Sequence, residues 1–176
     1  MPDKFKKITS ESLHKNPYWE YKKDTYKIGN SNTHDYFYVN NSGSSFIIAK
    51  EEDKFILVEQ FRYLNKKLSI EFPGGSLEKG LTQKENAKKE LREETGYETE
   101  KLEYLGEFNP YNGVSNEICE VFLATKLSKY KASPEITERI KIHFLSEEQI
   151  DSMIRSGKIW DGMTLASWML YKLKKG

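Results

Sequence analysis

Apolar and polar residues alternate over short stretches in the first half of the chain, which is the pattern of β-strands. Strands are predicted at residues 19–28, 35–40, 45–50, 54–62 and 68–72. Turn-forming residues separate the early strands, as in Asn30-Ser31-Asn32 and Asn41-Ser42-Gly43. The stretch 54–62 is apolar enough to be a central strand. Residues 1–16 are polar and are predicted to be loosely held.

The second half of the chain combines further strands with three helices. Strands are predicted at residues 101–108, 116–127 and 139–145. Helices are predicted between Thr82 and Gly96, from Ser146 to about Arg155, and over residues 161–174. This order of strands, helix, strands and terminal helices predicts an α+β fold built as an α/β/α sandwich.

The helix between Thr82 and Gly96 carries the clearest signals. Thr82 followed by Glu85 is a capping box, which makes Thr82 the expected N-cap. Gly96 suits the left-handed position that ends a helix. Ala87 and Leu91 are four residues apart, so they form a narrow apolar stripe that would face a core.

One face of this helix is acidic, because positions i, i+3 and i+4 lie side by side: Glu90, Glu93 and Glu94. Like charges four residues apart cost a helix roughly 0.2–0.5 kcal/mol. One interpretation is a solvated face with Glu85–Lys89 and Lys89–Glu93 ion pairs. The other is a metal site, because the Pro73-Gly74-Gly75 turn exposes carbonyl oxygens shortly before the helix. Carboxylates and carbonyls together suit Mg²⁺ or Mn²⁺.

Composition narrows the choice of function. The chain has 176 residues, a net charge of +1 and 37% hydrophobic residues, which suits a globular protein with a real core. The mixed charges favour neither nucleic acid nor a membrane as a partner. Cys119 is the single cysteine, so no internal disulfide is possible and a reducing, cytoplasmic location is expected. Cys119 and the three scattered histidines are interpreted as packed or surface residues.

Residues 72–97 resemble the Nudix box, G-x5-E-x7-R-E-U-x-E-E-x-G-U, in which U is a bulky apolar residue. The matching positions are Gly75, Glu90, Leu91, Glu93, Glu94, Gly96 and Tyr97. Two positions depart from the pattern, since Leu81 replaces the first Glu and Lys89 replaces the Arg. Lys89 keeps the positive charge but lacks the planar fork of arginine. The resemblance implies that the metal-facing carboxylates are present and that one supporting residue is missing.

Segments outside the box resemble the ADP-ribose and nucleotide-sugar pyrophosphatase branch of this family. They are VEQFR at 58–62, EFPGG at 71–75, the loop at 110–117, FLA at 122–124, and the tail from Ile140 to Ala166. Asn109 and Tyr111 depart from the usual Ser-Pro-Gly of the loop. The resemblance implies a Nudix fold with a mixed sheet over residues 41–176. It also implies an antiparallel strand extension over residues 1–40, which is expected to exchange between the subunits of a homodimer.

The resemblance also implies roles for individual residues. The Gly74 carbonyl, Glu90, Glu94, Glu93 and Glu138 are the expected metal ligands. Glu138 is the expected catalytic base, with Glu135 and the box glutamates, Glu93 among them, as alternatives. The expected substrate contacts are Arg62, Ser76, Glu117 and Trp19. For each of these four, an ordinary structural role is the competing interpretation: an ion pair for Arg62, and a packed strand aromatic for Trp19.

The implied reaction is metal-dependent hydrolysis of the diphosphate in a nucleoside diphosphate linked to a group X. The products would be a nucleoside monophosphate and a sugar phosphate. ADP-ribose and GDP-mannose are the leading substrates, and Mg²⁺ or Mn²⁺ is the expected cofactor. A sensor that binds nucleotides without cutting them is one alternative. The other is a Nudix hydrolase of dinucleoside polyphosphates, capped RNA or damaged nucleotides.

Overall fold

The computed structural model describes residues 4–130 and 140–175, which form two compact units. Among the described residues, the first unit contains 4–43 and 109–118, and the second contains 44–108, 119–130 and 140–175. The loop at 109–118 therefore associates with the N-terminal strands, although it lies far from them in sequence. The predicted strand at 139–145 begins outside the described residues.

The first unit is a three-stranded antiparallel sheet in the order β1-β2-β3. Its strands are β1 (Phe5–Lys15), β2 (Glu20–Ile28) and β3 (Thr33–Asn40). The prediction that residues 1–16 are loosely held was wrong for β1, which pairs with β2 along its whole length through two register shifts. Main-chain pairing and cross-strand contacts, such as the Phe5–Tyr26 ring stack at 5.7 Å, form this strand without burial.

Residues 109–118 are fastened to the outer edge of β3. The Val39 N–H donates to the Val114 carbonyl at 2.8 Å, and the Tyr36 hydroxyl donates to the Gly113 carbonyl at 2.9 Å. The strand predicted at 116–127 begins only at Cys119, because Asn116 bonds to the end of β3 instead: its N–H donates to the Val39 carbonyl at 3.3 Å, and its side-chain amide donates to Asn40 Oδ1 at 2.8 Å.

The second unit is built on a seven-stranded mixed sheet. Its strands are β4 (Ser44–Glu51), β5 (Lys54–Arg62), β6 (Lys67–Glu71), β7 (Gly74–Ser76), β8 (Tyr97–Phe108), β9 (Cys119–Lys129) and β10 (Lys141–Ser146). The main order is β10-β5-β4-β9-β8, with β6 beside β5 and β7 beside β4. Strands β4 and β9 are parallel, and the other pairs among the described residues are antiparallel.

Helices cover both faces of this sheet: α1 (Gln83–Thr95), α2 (Glu147–Arg155) and α3 (Gly162–Lys175). The alternation of a strand divides the core into two layers. In β4, Ile47 packs with Leu91 of α1, while the neighbouring Ile48 packs with Trp168 of α3. This confirms the predicted sandwich with a mixed sheet. None of the helices among the described residues is long and apolar enough to cross a membrane.

The core beneath α1 depends on Leu91, which is fully buried. We expect Leu91→Ala to lower the free energy of unfolding by about 3 kcal/mol, because it leaves a cavity between helix and sheet. The matched control is Leu173→Ala in α3, where the leucine is 71% exposed and the loss should be under about 0.5 kcal/mol. Equal losses in urea unfolding would contradict this assignment of the core.

Candidate active site

Two caps set the rotational position of α1. The Glu85 N–H donates to Thr82 Oγ1 at 3.3 Å, and the Thr82 N–H donates to Glu85 Oε2 at 2.8 Å, so the predicted capping box is confirmed. Gly96 ends the helix at φ 69°, in the left-handed region where glycine is favoured. Because Glu85 is used in the cap, the structure contains no Glu85–Lys89 pair among its described ion pairs. The acidic face therefore has a fixed direction.

Two of the three box glutamates face the Pro73-Gly74-Gly75 turn, whose two glycines begin β7. The Gly74 N–H donates to Glu94 Oε2 at 2.9 Å. A Cβ atom on Gly75 would lie only 2.6 Å from Glu90 Oε1, so this carboxylate rests against the bare backbone. A Cβ atom on Gly74 would lie 2.5 Å from the Ser45 carbonyl oxygen. Both glycines are needed for the close approach of backbone, helix and neighbouring strand.

The third box glutamate makes a different contact. Glu93 Oε2 lies 2.5 Å from Lys89 Nζ, and the same ammonium lies 3.0 Å from Glu78 Oε1. Burial opposes the charge of Lys89, but the bonds to Glu93 and Glu78 outweigh it and raise the pKa of Lys89 above its ordinary value. The predicted Lys89–Glu93 ion pair is thus present, and Glu90 and Glu94 have the glycine-facing geometry.

The donors at the turn are hard oxygen atoms. Glu90 and Glu94 supply carboxylates, and the Gly74–Gly75 backbone supplies carbonyls, which is the ligand chemistry of Mg²⁺ and Mn²⁺. Within residues 4–130 and 140–175, no group of three or more His, Cys, Asp or Glu side chains gathers closely enough to hold a metal ion. A cation here would therefore need main-chain or solvent oxygens beside the two carboxylates, a common arrangement for Mg²⁺.

Arg62, at the end of β5, forms a forked ion pair with Glu71 at the end of β6. Arg62 Nε donates to Glu71 Oε1 at 2.7 Å, and Nη2 donates to Oε2. The hydrogen bonds to Glu71 raise the pKa of Arg62 despite partial burial, and the charges of Asp161 and Glu94 raise it further. The Glu71 side chain is 2% exposed and the Arg62 side chain 41%, so the guanidinium has an open side.

The remaining predicted residues lie in three places. Ser76 is exposed at the end of β7, opposite Ser44. Trp19 and Glu117 belong to the first unit, where Trp19 lies 5.9 Å from the His14 ring and Glu117 accepts a bond from Asn41 at 3.0 Å. Glu135 and Glu138 lie outside the described residues.

Four further polar residues near the turn or near Arg62 were given no role of their own from the sequence: Glu71, Glu78, Asn86 and Asp161. Asn86 is fully buried next to the apolar stripe of α1, a position where a polar residue is itself a signal. Asp161 caps α3 by accepting from the Thr164 N–H at 2.7 Å. Cys119 is buried, as expected, and His143 lies 3.3 Å from Glu59 in a strand pair.

Gly75 allows a test of this geometry. We expect Gly75→Ala to fold, because the atom it would meet is the mobile end of Glu90, but to displace that carboxylate. Gly74→Ala is the contrasting variant, since its Cβ would strike backbone and the Phe46 ring, and it should destabilise the fold by about 2 kcal/mol or more. Thermal unfolding with Mn²⁺ titration separates the two effects; tight Mn²⁺ binding by Gly75→Ala would contradict the assignment.

Comparison with known proteins identifies the family of the chain. The family model described as NUDIX domain matches residues 40–163. An ADP-ribose pyrophosphatase of Bacillus subtilis (strain 168) is 32% identical over 140 residues, covering 78% of this chain and 76% of that protein. A methanol dehydrogenase activator of Bacillus methanolicus is 32% identical over 155 residues, covering 86% and 84%.

A solved structure titled as that of an ADP compounds hydrolase has the same fold. The TM-score is 0.85 at 14% sequence identity, and the match covers 98% of this chain and 94% of the other. The family match spans the glycine turn, the capped helix and all seven strands of the mixed sheet. The glycine turn, the acidic helix face and the mixed-sheet sandwich are those of the Nudix family, to which this chain belongs.

Proposed function

We propose that the protein hydrolyses the diphosphate linkage of a nucleoside diphosphate joined to a sugar, with ADP-ribose as the leading substrate. The products would be AMP and ribose 5-phosphate. The observation that carries this proposal is the pair Glu90 and Glu94, both directed at the backbone of the Gly74–Gly75 turn. The 32% identity to an ADP-ribose pyrophosphatase over most of both chains supports the choice of substrate.

Nudix hydrolases generally need a divalent metal, and the donors at the turn fit Mg²⁺, with Mn²⁺ as a substitute. Glu90, Glu94 and the Gly74 carbonyl would hold the ion, with Glu93 and Glu138 as supporting ligands. When bound, such a cation offsets phosphate charge and lowers the pKa of a bound water. The chain's own contribution is to hold the Glu90 and Glu94 carboxylates in fixed directions beside the Gly74–Gly75 backbone, which carries no side chains.

Arg62 would bind a substrate phosphate through the open side of its guanidinium. Its fork is oriented by the nearly buried Glu71, so the side chain is already in place before substrate arrives. Ser76 would contact the substrate beside the turn. We propose further contacts from Glu117 and from Trp19, whose ring could stack on a nucleobase.

A carboxylate would take the proton of the attacking water. Glu138 is the proposed base, with Glu135 and Glu93 as alternatives. Glu93 is the least favoured of the three, because Lys89 already occupies its carboxylate in an ion pair at 2.5 Å. Glu138→Gln should lower kcat with little change in KM if Glu138 is the base.

The metal assignment predicts that Glu94→Gln lowers kcat by about two or more orders of magnitude, because the amide loses the charge that would hold the ion. The fold should be retained, since an amide oxygen still accepts from the Gly74 N–H. Release of AMP from ADP-ribose in the presence of Mg²⁺ is the measurement. The matched control is Glu100→Gln on the exposed part of β8, and near-normal turnover by Glu94→Gln would refute the assignment.

The same assay, run as a panel, separates the rival activities. ADP-ribose, GDP-mannose and a dinucleoside polyphosphate are offered with Mg²⁺ and with Mn²⁺, and the products are identified. Tight binding of ADP-ribose without AMP would favour a nucleotide sensor. Cleavage of the dinucleoside polyphosphate alone would favour the other Nudix activity.

A second candidate function comes from the methanol dehydrogenase activator, which matches 86% of this chain. The protein would then raise the activity of a dehydrogenase. This effect would either depend on its hydrolysis of a nucleotide or be separate from that hydrolysis. Adding the protein to a purified methanol dehydrogenase and following alcohol oxidation tests this. A rate increase that Glu94→Gln abolishes would join the two functions, and an unchanged rate would reject the second.

We further propose a cytoplasmic homodimer formed through the N-terminal sheet. This sheet leaves large apolar side chains exposed, including Phe5 at 61%, Phe37 at 48% and Tyr36 at 45%. Such a concentration of aromatics is typical of a surface that a second chain covers. Light scattering should give twice the chain mass of 20.6 kDa, and Phe37→Ser should shift the protein towards the monomer. A monomeric native protein would contradict the proposal.

A further inference from the structure

The segment between the glycine turn and α1 is tied to the helix by polar contacts that the Nudix pattern does not specify. The buried side chain of Asn86 accepts from the Glu78 N–H at 3.1 Å and donates to the Gly75 carbonyl at 3.5 Å. Lys89, one turn further along α1, lies 3.0 Å from the Glu78 carboxylate. Helix α1 therefore holds this segment in two ways: Asn86 binds its backbone, and Lys89 binds the Glu78 side chain.

These contacts occur where the chain departs from its family. Leu81 stands in place of the first box glutamate, so no carboxylate is available at that position. Glu78, three residues earlier, supplies a carboxylate to Lys89, the residue that stands in place of the box arginine. Lys89, one of the two departures, thus pairs with a carboxylate three residues before Leu81, the other departure.

The ammonium of Lys89 also acts on the acidic face itself. It binds Glu93 at 2.5 Å, which directs that carboxylate to the ammonium, whereas Glu90 and Glu94 face the turn. Like charges on one helix face repel, so removing the ammonium would leave Glu93 free to crowd its neighbours. Glu78 and Glu93 both bind the Lys89 ammonium, so the effects of removing either contact should not be additive.

We propose that Glu78, Asn86 and Lys89 are positioning residues that hold residues 75–78 against α1, and so keep the Gly75 backbone beneath the Glu90 carboxylate. Lys89 with Glu78 replaces the missing box glutamate and the arginine. The consequence for hydrolysis rests on the proposed function, but the consequence for cation binding does not. The competing account is that Lys89, Glu78 and Glu93 form surface ion pairs that act on stability alone.

The experiment compares Mn²⁺ affinity and stability in four variants of the full chain: Glu78→Gln, Lys89→Met, the double variant and Lys89→Arg. Free Mn²⁺ is measured by electron paramagnetic resonance, and thermal unfolding is measured with chelator. Lys84→Met, an exposed lysine in the first turn of the same helix, is the matched control. Asn86 is left intact because its amide is buried and hydrogen-bonded, so replacing it would itself be expected to destabilise the fold.

We expect Glu78→Gln and Lys89→Met each to weaken Mn²⁺ binding about 10- to 100-fold, the range typical of residues that orient metal ligands. The double variant should be no weaker than the worse single variant, because both changes break one chain of contacts. Lys89→Arg should restore affinity to within about threefold of the native protein, since it returns the fork and keeps the charge. The unfolding temperature with chelator should match that of the control.

Native affinity in the single variants, or effects that multiply in the double variant, would overturn the inference. A lower unfolding temperature with unchanged Mn²⁺ affinity would do the same, because it is the result of a purely structural role. A native protein that binds no Mn²⁺ would also overturn it. None of these measurements uses a nucleotide. If the protein cleaved none of the substrates in the panel, the proposed function would be rejected, but the positioning roles of Glu78 and Lys89 would still be decided by the Mn²⁺ affinities of the variants.

Discussion

The hydrogen bond from the Gly74 N–H to Glu94 is the contact on which the arrangement of the site depends. It joins the glycine turn at the end of one sheet strand to the last turn of α1, and so fixes the distance between backbone and carboxylate. Its neighbour, the contact of Glu90 with Gly75, exists only because Gly75 has no side chain. The two contacts thereby hold the acidic face of α1 at a fixed distance from the glycine backbone. Two flexible segments in water would not keep that distance, because ordering them costs conformational entropy.

The sandwich supplies the rigidity that this contact needs. Strand β4 packs Ile47 and Ala49 under α1 and pairs with β7, so the helix and the turn rest on the same strand. The opposite face of β4 is covered by α3, whose Trp168 packs against Phe55 and Phe72. Because the core beneath α1 is close-packed, a shift of α1 relative to the turn would open a cavity in that layer.

Two cations of the second unit each form a described ion pair with a carboxylate other than Glu90 or Glu94. Arg62 is engaged by Glu71 in a fork, and Lys89 is engaged by Glu78 and Glu93. Each cation therefore already has acidic partners, and Glu90 and Glu94 remain directed at the turn. Such a division suits the proposed site, which would bind a cation and a polyanion together, since both kinds of charge are held in place before either ligand arrives.

Residue order was enough to predict the sandwich, the capping box at Thr82, the helix that begins at Ser146 and the acidic face of α1. These features depend on local periodicity and on caps that span three residues. Strand β1 was missed because it is fully exposed and is held by pairing with β2, which has no signature in composition. The roles of Glu78, Asn86 and Glu71 were also hidden, since each depends on a partner 8 to 11 residues away in sequence. The sequence alone determined which glutamates share a helix face; the tertiary structure decided that Glu90 and Glu94 meet the glycine turn while Glu93 meets Lys89, because only packing brings a side chain opposite a distant backbone.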